Sequence, residues 1–193
     1  MEVVSEIVAS AYRDIVAQLF GEHAVRLYHP RTPGQLEATR LMFGDGCFTA
    51  ADQDGPIGAI FARKWGELGW FSSLAVHPQH QGRGVGKALA RAATDALRES
   101  GCHTVGLETW PSSAPITAMY VRLGFQPVAA TTQLIAPSDR SCPELKEGRI
   151  LLRDELPTDL EAGADVAADR ICDKLIPGMS IGTEIADADS SPR

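Results

Sequence analysis

The stretch Leu74–Leu89, LAVHPQHQGRGVGKAL, decides the fold of this chain. It starts as the end of an apolar strand, turns at Pro78 and continues through a glycine-rich loop. Beyond the loop, apolar side chains recur at helical spacing until Gly101, and they are Val85, Leu89, Ala92, Ala93, Ala96 and Leu97. A strand that leads through glycines into a helix predicts an α/β fold.

The same loop predicts an anion site at the start of that helix. The first N–H groups of a helix have no intrahelical partners, and they lie at the positive end of the helix dipole. Gly82, Gly84 and Gly86 let the backbone approach a ligand without Cβ clashes and adopt a positive φ. We therefore expect this loop to bind a phosphate group.

The spacing of these glycines separates several phosphate-binding motifs. A dinucleotide fingerprint requires G-x-G-x-x-G, whereas the chain has G-x-G-x-G. A P-loop requires a glycine where the chain has Gln81 and a hydroxyl where it has Ala88, so a nucleotide-phosphate enzyme is a remote alternative. The spacing fits Q-x-x-G-x-G, read as Gln81, Gly84 and Gly86. A loop that only turns a strand into a helix explains the same glycines, so the motif needs further context.

A second motif supplies that context. A strand is predicted over Val105–Trp110, followed by a break at Pro111–Ser113 with a capping hydroxyl and then a helix. From Ala118 this helix reads A-x-Y-x-x-x-G-F, which places Tyr120 on its apolar stripe and ends it at Gly124. A tyrosine on such a stripe is commonly a packing residue, so Tyr120 gains a functional meaning only together with the first motif.

In this order and separation, the two motifs resemble those of the GNAT superfamily of N-acetyltransferases. They span Leu74–Phe125, and the likeness extends over about residues 1–135. The resemblance implies a GNAT fold, in which a mixed and mostly antiparallel sheet is flanked by helices. It also implies acetyl-CoA as co-substrate, a primary amine as acceptor, and no metal. One position differs, because Ser113 stands where the family often has Asn.

The resemblance also assigns roles to residues. The glycine loop would hold the CoA pyrophosphate, and the strand end before it would pair with the pantetheine arm and direct a backbone N–H at the thioester oxygen. Tyr120 would be the general acid that protonates the departing thiolate. Glu108 is the best carboxylate candidate for a general base, although the base stays unassigned. The expected cofactor-binding residues are Leu74, Ala75, Val76, Gln81, Gly82, Arg83, Gly84, Val85, Gly86, Lys87, Ser113 and Tyr120.

Hydrophobic periodicity predicts the remaining elements. An amphipathic helix is expected over 2–20, which leaves no room for the strand that the family places before it, and a second helix over 33–43. A hairpin turn at Asp54–Gly55 joins two predicted strands. The predicted strands are 46–53, 57–65, 70–76, 125–135 and 149–152, and a capping box at Thr158 opens a final helix.

Charge divides the chain into two parts. Residues 1–136 carry 12 acidic and 11 basic side chains, and we expect them to form the GNAT acetyltransferase domain. Residues 137–193 carry 13 acidic and 7 basic side chains, and we expect an acidic C-terminal extension that is not an independent domain. Within it, the strand and helix of 146–185 form either a homodimer contact or a lid on the missing sheet edge.

Composition narrows the partners and the compartment. The 193 residues suit one domain, no apolar run is long enough to cross a membrane, and no basic stripe suggests nucleic acid. The acidic N-terminus lacks the basic region of a signal peptide, and the four cysteines contain no C-x-x-C, so we expect a cytoplasmic protein without a zinc site or disulfides. The acceptor is expected to be a small-molecule or peptide amine. The functional alternative is a non-catalytic CoA-binding or regulatory module of the same fold.

Overall fold

The computed structural model describes residues 1–26, 28–42, 44–110 and 112–129, together with residue 166. In chain order the elements are α1 (Glu2–Phe20), α2 (Glu22–Val25), α3 (Pro33–Met42), a 3₁₀ turn (Gly44–Gly46), β1 (Phe48–Asp52), β2 (Gly55–Trp65), β3 (Leu68–Val76), a second 3₁₀ turn (Pro78–His80), α4 (Val85–Glu99), β4 (Thr104–Leu107) and α5 (Ala114–Arg122).

Four strands form one mixed sheet in the order β1-β2-β3-β4. The first two pairs of neighbours are antiparallel, and β4 runs parallel to β3. The α4 crossover between β3 and β4 explains the parallel pair, because a parallel connection needs a long segment such as a helix. The expected mixed and mostly antiparallel sheet flanked by helices is therefore confirmed.

Each face of the sheet carries its own apolar core. On one face, α1 and α3 pack through Val4, Ile7, Val8 and Leu36 onto Ala59, Phe61 and Ala75. On the other face, α4 and α5 pack onto the sheet, and the buried residues there include Ile60, Ala62, Phe71, Leu89, Ala93, Leu97 and Tyr120. The alternation of side chains along β2 produces this division, since neighbouring residues of a strand point to opposite faces.

The pairing between β3 and β4 ends before β3 does. It runs from Leu68↔Thr104 to Phe71↔Leu107, and β3 then continues to Val76. Beyond Phe71, the edge of β3 that lies opposite to β2 therefore has no partner strand among the described residues. This separation opens the sheet at the end that leads into the glycine loop.

The structure confirms most of the elements predicted from sequence and changes several boundaries. The first two long helices and the three-stranded meander lie where periodicity places them. β4 stops at Leu107 instead of Trp110, because β3 no longer pairs with it there. The strand predicted after Phe125 is wrong over 125–129, which have no regular secondary structure. Ser113 stands at the N-cap position of α5, but its hydroxyl makes no capping hydrogen bond.

The N- and C-terminal expectations have different outcomes. In the described part of the chain, α1 is the first element, and it begins at Glu2. The rest of the strand predicted over 125–135, the strand at 149–152 and almost all of the final helix lie outside the described residues, as does the extension 137–193. Val166 alone is described there, and it is helical and exposed.

Candidate active site

A cleft of about 1140 Å³ lies where β3 and β4 separate. Its walls come from α1, the second half of β2, β3, the glycine loop, the segment after β4 and α5. It reaches both faces of the sheet, since residues of α1 and of α5 line it together. Tyr12 of α1 and Tyr120 of α5 also interact electrostatically, although their helices pack on opposite faces.

The floor of the cleft is the end of β3 beyond Phe71, which pairs with β2 along one edge and has no partner strand along the other among the described residues. Ser72 is an extra residue in this strand, because Phe61 pairs with Ser73 while the next residue of β2 pairs with Phe71. Such a bulge bends and twists a strand locally, so it helps β3 to diverge from β4. The hydroxyl of Ser72 is buried, and it has no hydrogen-bond partner in the described structure. Leu74, Ala75 and Val76 continue the floor toward the loop.

The glycine loop has the backbone conformation that the sequence predicts. Gly82 and Gly84 have φ values of 73° and 87°, in the region that favours glycine. Gly84 is the N-cap of α4, a helix of 15 residues. The first residues of this helix line the cleft, and their N–H groups have no partners within the helix. The side chain of Gln81 donates from Nε2 to the carbonyl oxygen of Val76 at 3.0 Å, which ties the loop to the end of β3.

Tyr120 joins the core of the sheet to the cleft. It is 8% exposed, and its ring packs edge-on against Phe125 at 5.6 Å between centroids and at 6.5 Å from Phe71. Burial raises the pKa of its hydroxyl above the usual value of tyrosine, and the hydroxyl of Tyr12 raises it further. Tyr120 therefore keeps its proton throughout the neutral range.

Most of the residues predicted from sequence come together at this cleft. Lining it are the cofactor candidates Leu74, Ala75, Val76, Gln81, Gly82, Gly84, Val85, Gly86, Lys87 and Tyr120, together with the carboxylate candidate Glu108. Glu108 is exposed and directly follows β4. Arg83 and Ser113 are not among the lining residues. Arg83 is exposed on the loop, whereas Ser113 is buried at the start of α5.

The structure adds residues that no sequence motif indicated. Aromatic and charged side chains line the cleft opposite the loop, and they include Tyr12, Asp14, Phe20, Arg31, Arg63, Trp65, Trp70 and Trp110. They come from α1, the segment before α3, two strands and the segment after β4, so only the tertiary fold brings them together. The aromatic residues were visible in the sequence, but no local pattern placed them at one site.

Three further observations limit the chemistry of the described residues. No group of three or more histidine, cysteine or acidic side chains among them is placed to hold a metal ion. Cys47 and Cys102 form no disulfide among the described residues, and neither lines the cleft. None of the helices in the described ranges combines the length and the apolar character that a bilayer crossing requires.

Comparison with known proteins gives a family match. A model of the acetyltransferase (GNAT) family matches residues 10–125. The streptothricin acetyltransferase of Streptomyces lavendulae is 33% identical over 81 residues, which are 40% of this chain and 43% of that protein. The mycothiol acetyltransferase of Beutenbergia cavernae is 38% identical over 111 residues, or 53% of this chain and 37% of that protein. The chain thus spans less than half the length of these relatives.

Solved structures show the same fold. The PaiA N-acetyltransferase of Thermoplasma acidophilum, in complex with coenzyme A, aligns with a TM-score of 0.59 at 15% identity. The alignment covers 65% of this chain and 82% of that one. At this identity the likeness concerns the arrangement of helices and strands.

Proposed function

The chain belongs to the GNAT family of acetyltransferases, and from that premise we propose that it transfers an acetyl group from acetyl-CoA to a primary amine. The observation that carries this proposal is that one cleft joins the glycine loop, the end of β3 beyond its pairing with β4, and Tyr120. These three features correspond to the three parts of the reaction, which are cofactor binding, orientation of the thioester and protonation of the leaving group.

The pyrophosphate of CoA would bind at the start of α4. The backbone N–H groups from Gly82 to Lys87 lie at the positive end of a long helix, where an oxyanion is stabilised. Lys87 lines the cleft and adds a positive charge. The pantetheine arm would then extend along the free edge of β3 at Leu74–Val76 and pair with its backbone as an added strand does.

The acetyl group would pass directly from sulfur to nitrogen. The amine nitrogen attacks the thioester carbonyl, the C–N bond forms, and collapse of the intermediate breaks the C–S bond and releases the CoA thiolate. A backbone N–H of β3 that faces the carbonyl oxygen would stabilise the oxyanion, a contribution of roughly 3 kcal/mol for a single donor. No cysteine lines the cleft in the described structure, which favours direct attack over an acyl-enzyme.

Two residues would move the protons. Tyr120 holds a proton at neutral pH and lies in the cleft, so it would donate to the departing thiolate. Glu108 lines the same cleft from the end of β4 and would accept the proton that the attacking ammonium must lose, directly or through water. Glu67, in the turn between β2 and β3, is an exposed carboxylate that does not line the cleft, and it is the matched comparison for Glu108.

The decisive experiment measures CoA release from acetyl-CoA with a panel of primary amines, together with mass spectrometry of the acetylated product. The proposal expects thiol release that depends on both amine and enzyme, and one acetyl group per CoA released. If CoA binds by calorimetry and no amine in the panel is acetylated, the chain is the non-catalytic CoA-binding module instead. Glu108→Gln should lower the rate and shift its pH dependence, whereas Glu67→Gln should not.

A further inference from the structure

The cleft carries all three tryptophans of the chain, Trp65, Trp70 and Trp110. Tyr12 and Phe20 of α1 line it as well. Only 6% of the residues are aromatic, yet the three largest aromatic side chains all line one cleft. We call these five residues the aromatic wall.

The aromatic wall belongs to the α1 face of the sheet. On β2, Trp65 lies an even number of residues after Ala59 and Phe61, which pack against α1. Its side chain therefore lies on the same face of the sheet. Trp70 pairs with Arg63 across the strands and with Gly106 of β4. The glycine at 106 is required there, because a Cβ would lie 2.4 Å from the Trp70 ring. The indole thus lies against Gly106 of β4 on this face.

Ring contacts connect the helix side of the wall. Trp110 makes edge contacts with Tyr12 at 5.8 Å and with Phe20 at 6.3 Å between centroids. Trp65 and Trp70 are 6.5 Å apart on the sheet side. Phe20 nevertheless leaves 44% of its surface exposed, and the other four rings are only partly buried. Apolar area therefore remains for a ligand to cover, and burial of such area is favourable.

The charged side chains that line the cleft are mostly basic. Asp14 and Glu108 supply two negative charges, and Arg31, Arg63, Lys87 and Arg122 supply four positive ones. A polycationic acceptor would gain little from such a set, because repulsion by the four cations outweighs attraction by the two carboxylates. A single ammonium group close to one carboxylate is tolerated, and aromatic faces attract it as well. Selectivity should therefore come from the rings.

We propose that the acceptor is a primary amine joined by a short chain to a flat aromatic body, which stacks on the aromatic wall. This inference rests on the proposed acetyltransferase function and specifies its substrate class. The glycine-loop side of the cleft would be filled by CoA, and the aromatic body would enter from the α1 face. The short chain would carry the amine to the gap between β3 and β4, where the thioester lies.

The test compares primary amines that carry an aromatic group with primary amines that do not. We would measure kcat/KM with acetyl-CoA for 2-phenylethylamine and tryptamine, and for n-propylamine, spermidine and glucosamine. Loss of the aromatic body should lower kcat/KM by about tenfold or more, the range expected for several buried apolar carbons. A preference for spermidine or glucosamine over the two aromatic amines would overturn the inference and leave the acetyltransferase function standing.

A pair of variants links the preference to the wall. Trp110→Leu should lower kcat/KM for 2-phenylethylamine and leave the affinity for CoA unchanged, so the aromatic preference shrinks toward that of n-propylamine. Phe48→Leu is the matched control, because Phe48 is an exposed ring on β1 that does not line the cleft. Equal selectivity in Trp110→Leu and the unaltered protein would contradict the inference, provided that circular dichroism shows both variants folded.

A binding measurement separates this inference from the proposed function. Because every tryptophan lines the cleft, intrinsic fluorescence reports on its occupancy. Titration of the CoA-bound protein with 2-phenylethylamine should change the emission at concentrations where n-propylamine does not. Such binding without acetylation would support the acceptor class and refute catalysis. Acetylation of other amines without this binding would support the acetyltransferase function and refute the aromatic acceptor class.

Discussion

Tyr120 combines two roles that are usually separate at the level of single residues. Its ring is part of the core between α5 and the sheet, in contact with Phe71 and Phe125. Tyr120 also lines the cleft, and burial raises the pKa of its hydroxyl. The phenol is therefore held in one place by packing, and that rigidity is what a positioned proton donor requires.

Replacement of Tyr120 by Phe separates packing from chemistry. The ring and its buried area remain, so stability should change little, while kcat should fall by about 10²–10⁴ because the proton donor is lost. Steady-state kinetics with acetyl-CoA, together with calorimetric CoA binding, would measure this, and CoA affinity should stay within about twofold. Tyr28→Phe is the matched control, because Tyr28 is a partly buried tyrosine that does not line the cleft. A kcat retained within about twofold would mean either that water donates the proton or that chemistry does not limit the rate, and a series of leaving groups would separate the two.

Gly106 offers a second prediction at a single residue. In Gly106→Ala, the new Cβ would lie 2.4 Å and 2.7 Å from two atoms of the Trp70 ring, so the indole must move. We expect a loss of about 1–3 kcal/mol in the free energy of unfolding, measured by urea denaturation, and a shift in tryptophan emission.

The control for Gly106→Ala lies on α3. Gly34 has only the Thr32 hydroxyl near its would-be Cβ, at 4.0 Å, and it has no positive φ. Gly34→Ala should therefore raise stability by up to about 1 kcal/mol, because alanine restricts the unfolded chain. An unchanged stability and emission in Gly106→Ala would contradict the contact between Trp70 and β4.

The junction of β3 with α4 is the decisive feature at the level of elements. Beyond Phe71, one edge of β3 has no partner strand among the described residues. A short loop then leads to α4, whose N-cap Gly84 has a left-handed backbone conformation. The hydrogen bond from Gln81 to Val76 closes that loop onto the strand. The two elements thus present backbone donors and acceptors in one continuous line, which suits an extended ligand with a charged end.

Substitution of Gly86 tests that line. A Cβ at this position would make ordinary contacts with Val76 at 3.6 Å and Met119 at 3.7 Å, so Gly86→Val should fold. Its branched methyl groups would occupy the cleft beside the loop, and we expect the Kd for CoA to rise about tenfold or more, which is at least 1.4 kcal/mol. Isothermal titration calorimetry measures the change.

Ala88→Val is the appropriate control for this loss of affinity. Ala88 is exposed in the first turn of α4 and does not line the cleft, so it carries the cost of a β-branched residue in a helix without blocking the site. Equal CoA affinity in Gly86→Val and in the unaltered protein would place the cofactor elsewhere.

In the described residues, the sheet carries a helical layer on each face. The α1 and α3 layer and the α4 and α5 layer have separate cores, and the gap between β3 and β4 connects them. Such a gap allows two substrates to reach one site from opposite faces of the sheet.

We propose that residues 137–193 are an acidic extension of this domain and not an independent domain.

Stability at high pH should report on the closed core around Tyr120. Its pKa is raised in the folded state, so above about pH 10 the unfolded chain loses this proton before the folded one does. The free energy of unfolding should then fall with rising pH, by up to about 1.4 kcal/mol per unit for one proton. Burial raises the pKa of Tyr28 as well, so it adds in the same direction.

Urea denaturation between pH 8 and 11, with Tyr120→Phe as comparison, measures this dependence. The variant should show a shallower decline, since it lacks one of the two tyrosines whose pKa is raised. An identical slope in both proteins would mean that Tyr120 ionises with equal ease in the folded and unfolded states.

The sequence alone determined the family, the glycine loop, α4, α5 and the hairpin between β1 and β2. Each of these depends on residues that are close in the chain, such as the Asp54–Gly55 turn or the glycines that precede α4. Local hydrogen bonding and side-chain periodicity are sufficient there, because the partners are a few residues apart. The motifs around Gln81 and Tyr120 are likewise contiguous, and the family match confirms the family that they indicated.

Only the tertiary structure decided where the strands separate and what lines the cleft. β4 ends at Leu107 because the bulged β3 leaves it, and neither event has a local signal. The aromatic wall unites side chains from Tyr12 to Trp110, and the burial of Ser113 away from the cleft follows from how α5 packs. Such placements depend on contacts between residues tens of positions apart, and these contacts are set by the packing of whole faces against the sheet, which no short stretch of sequence encodes.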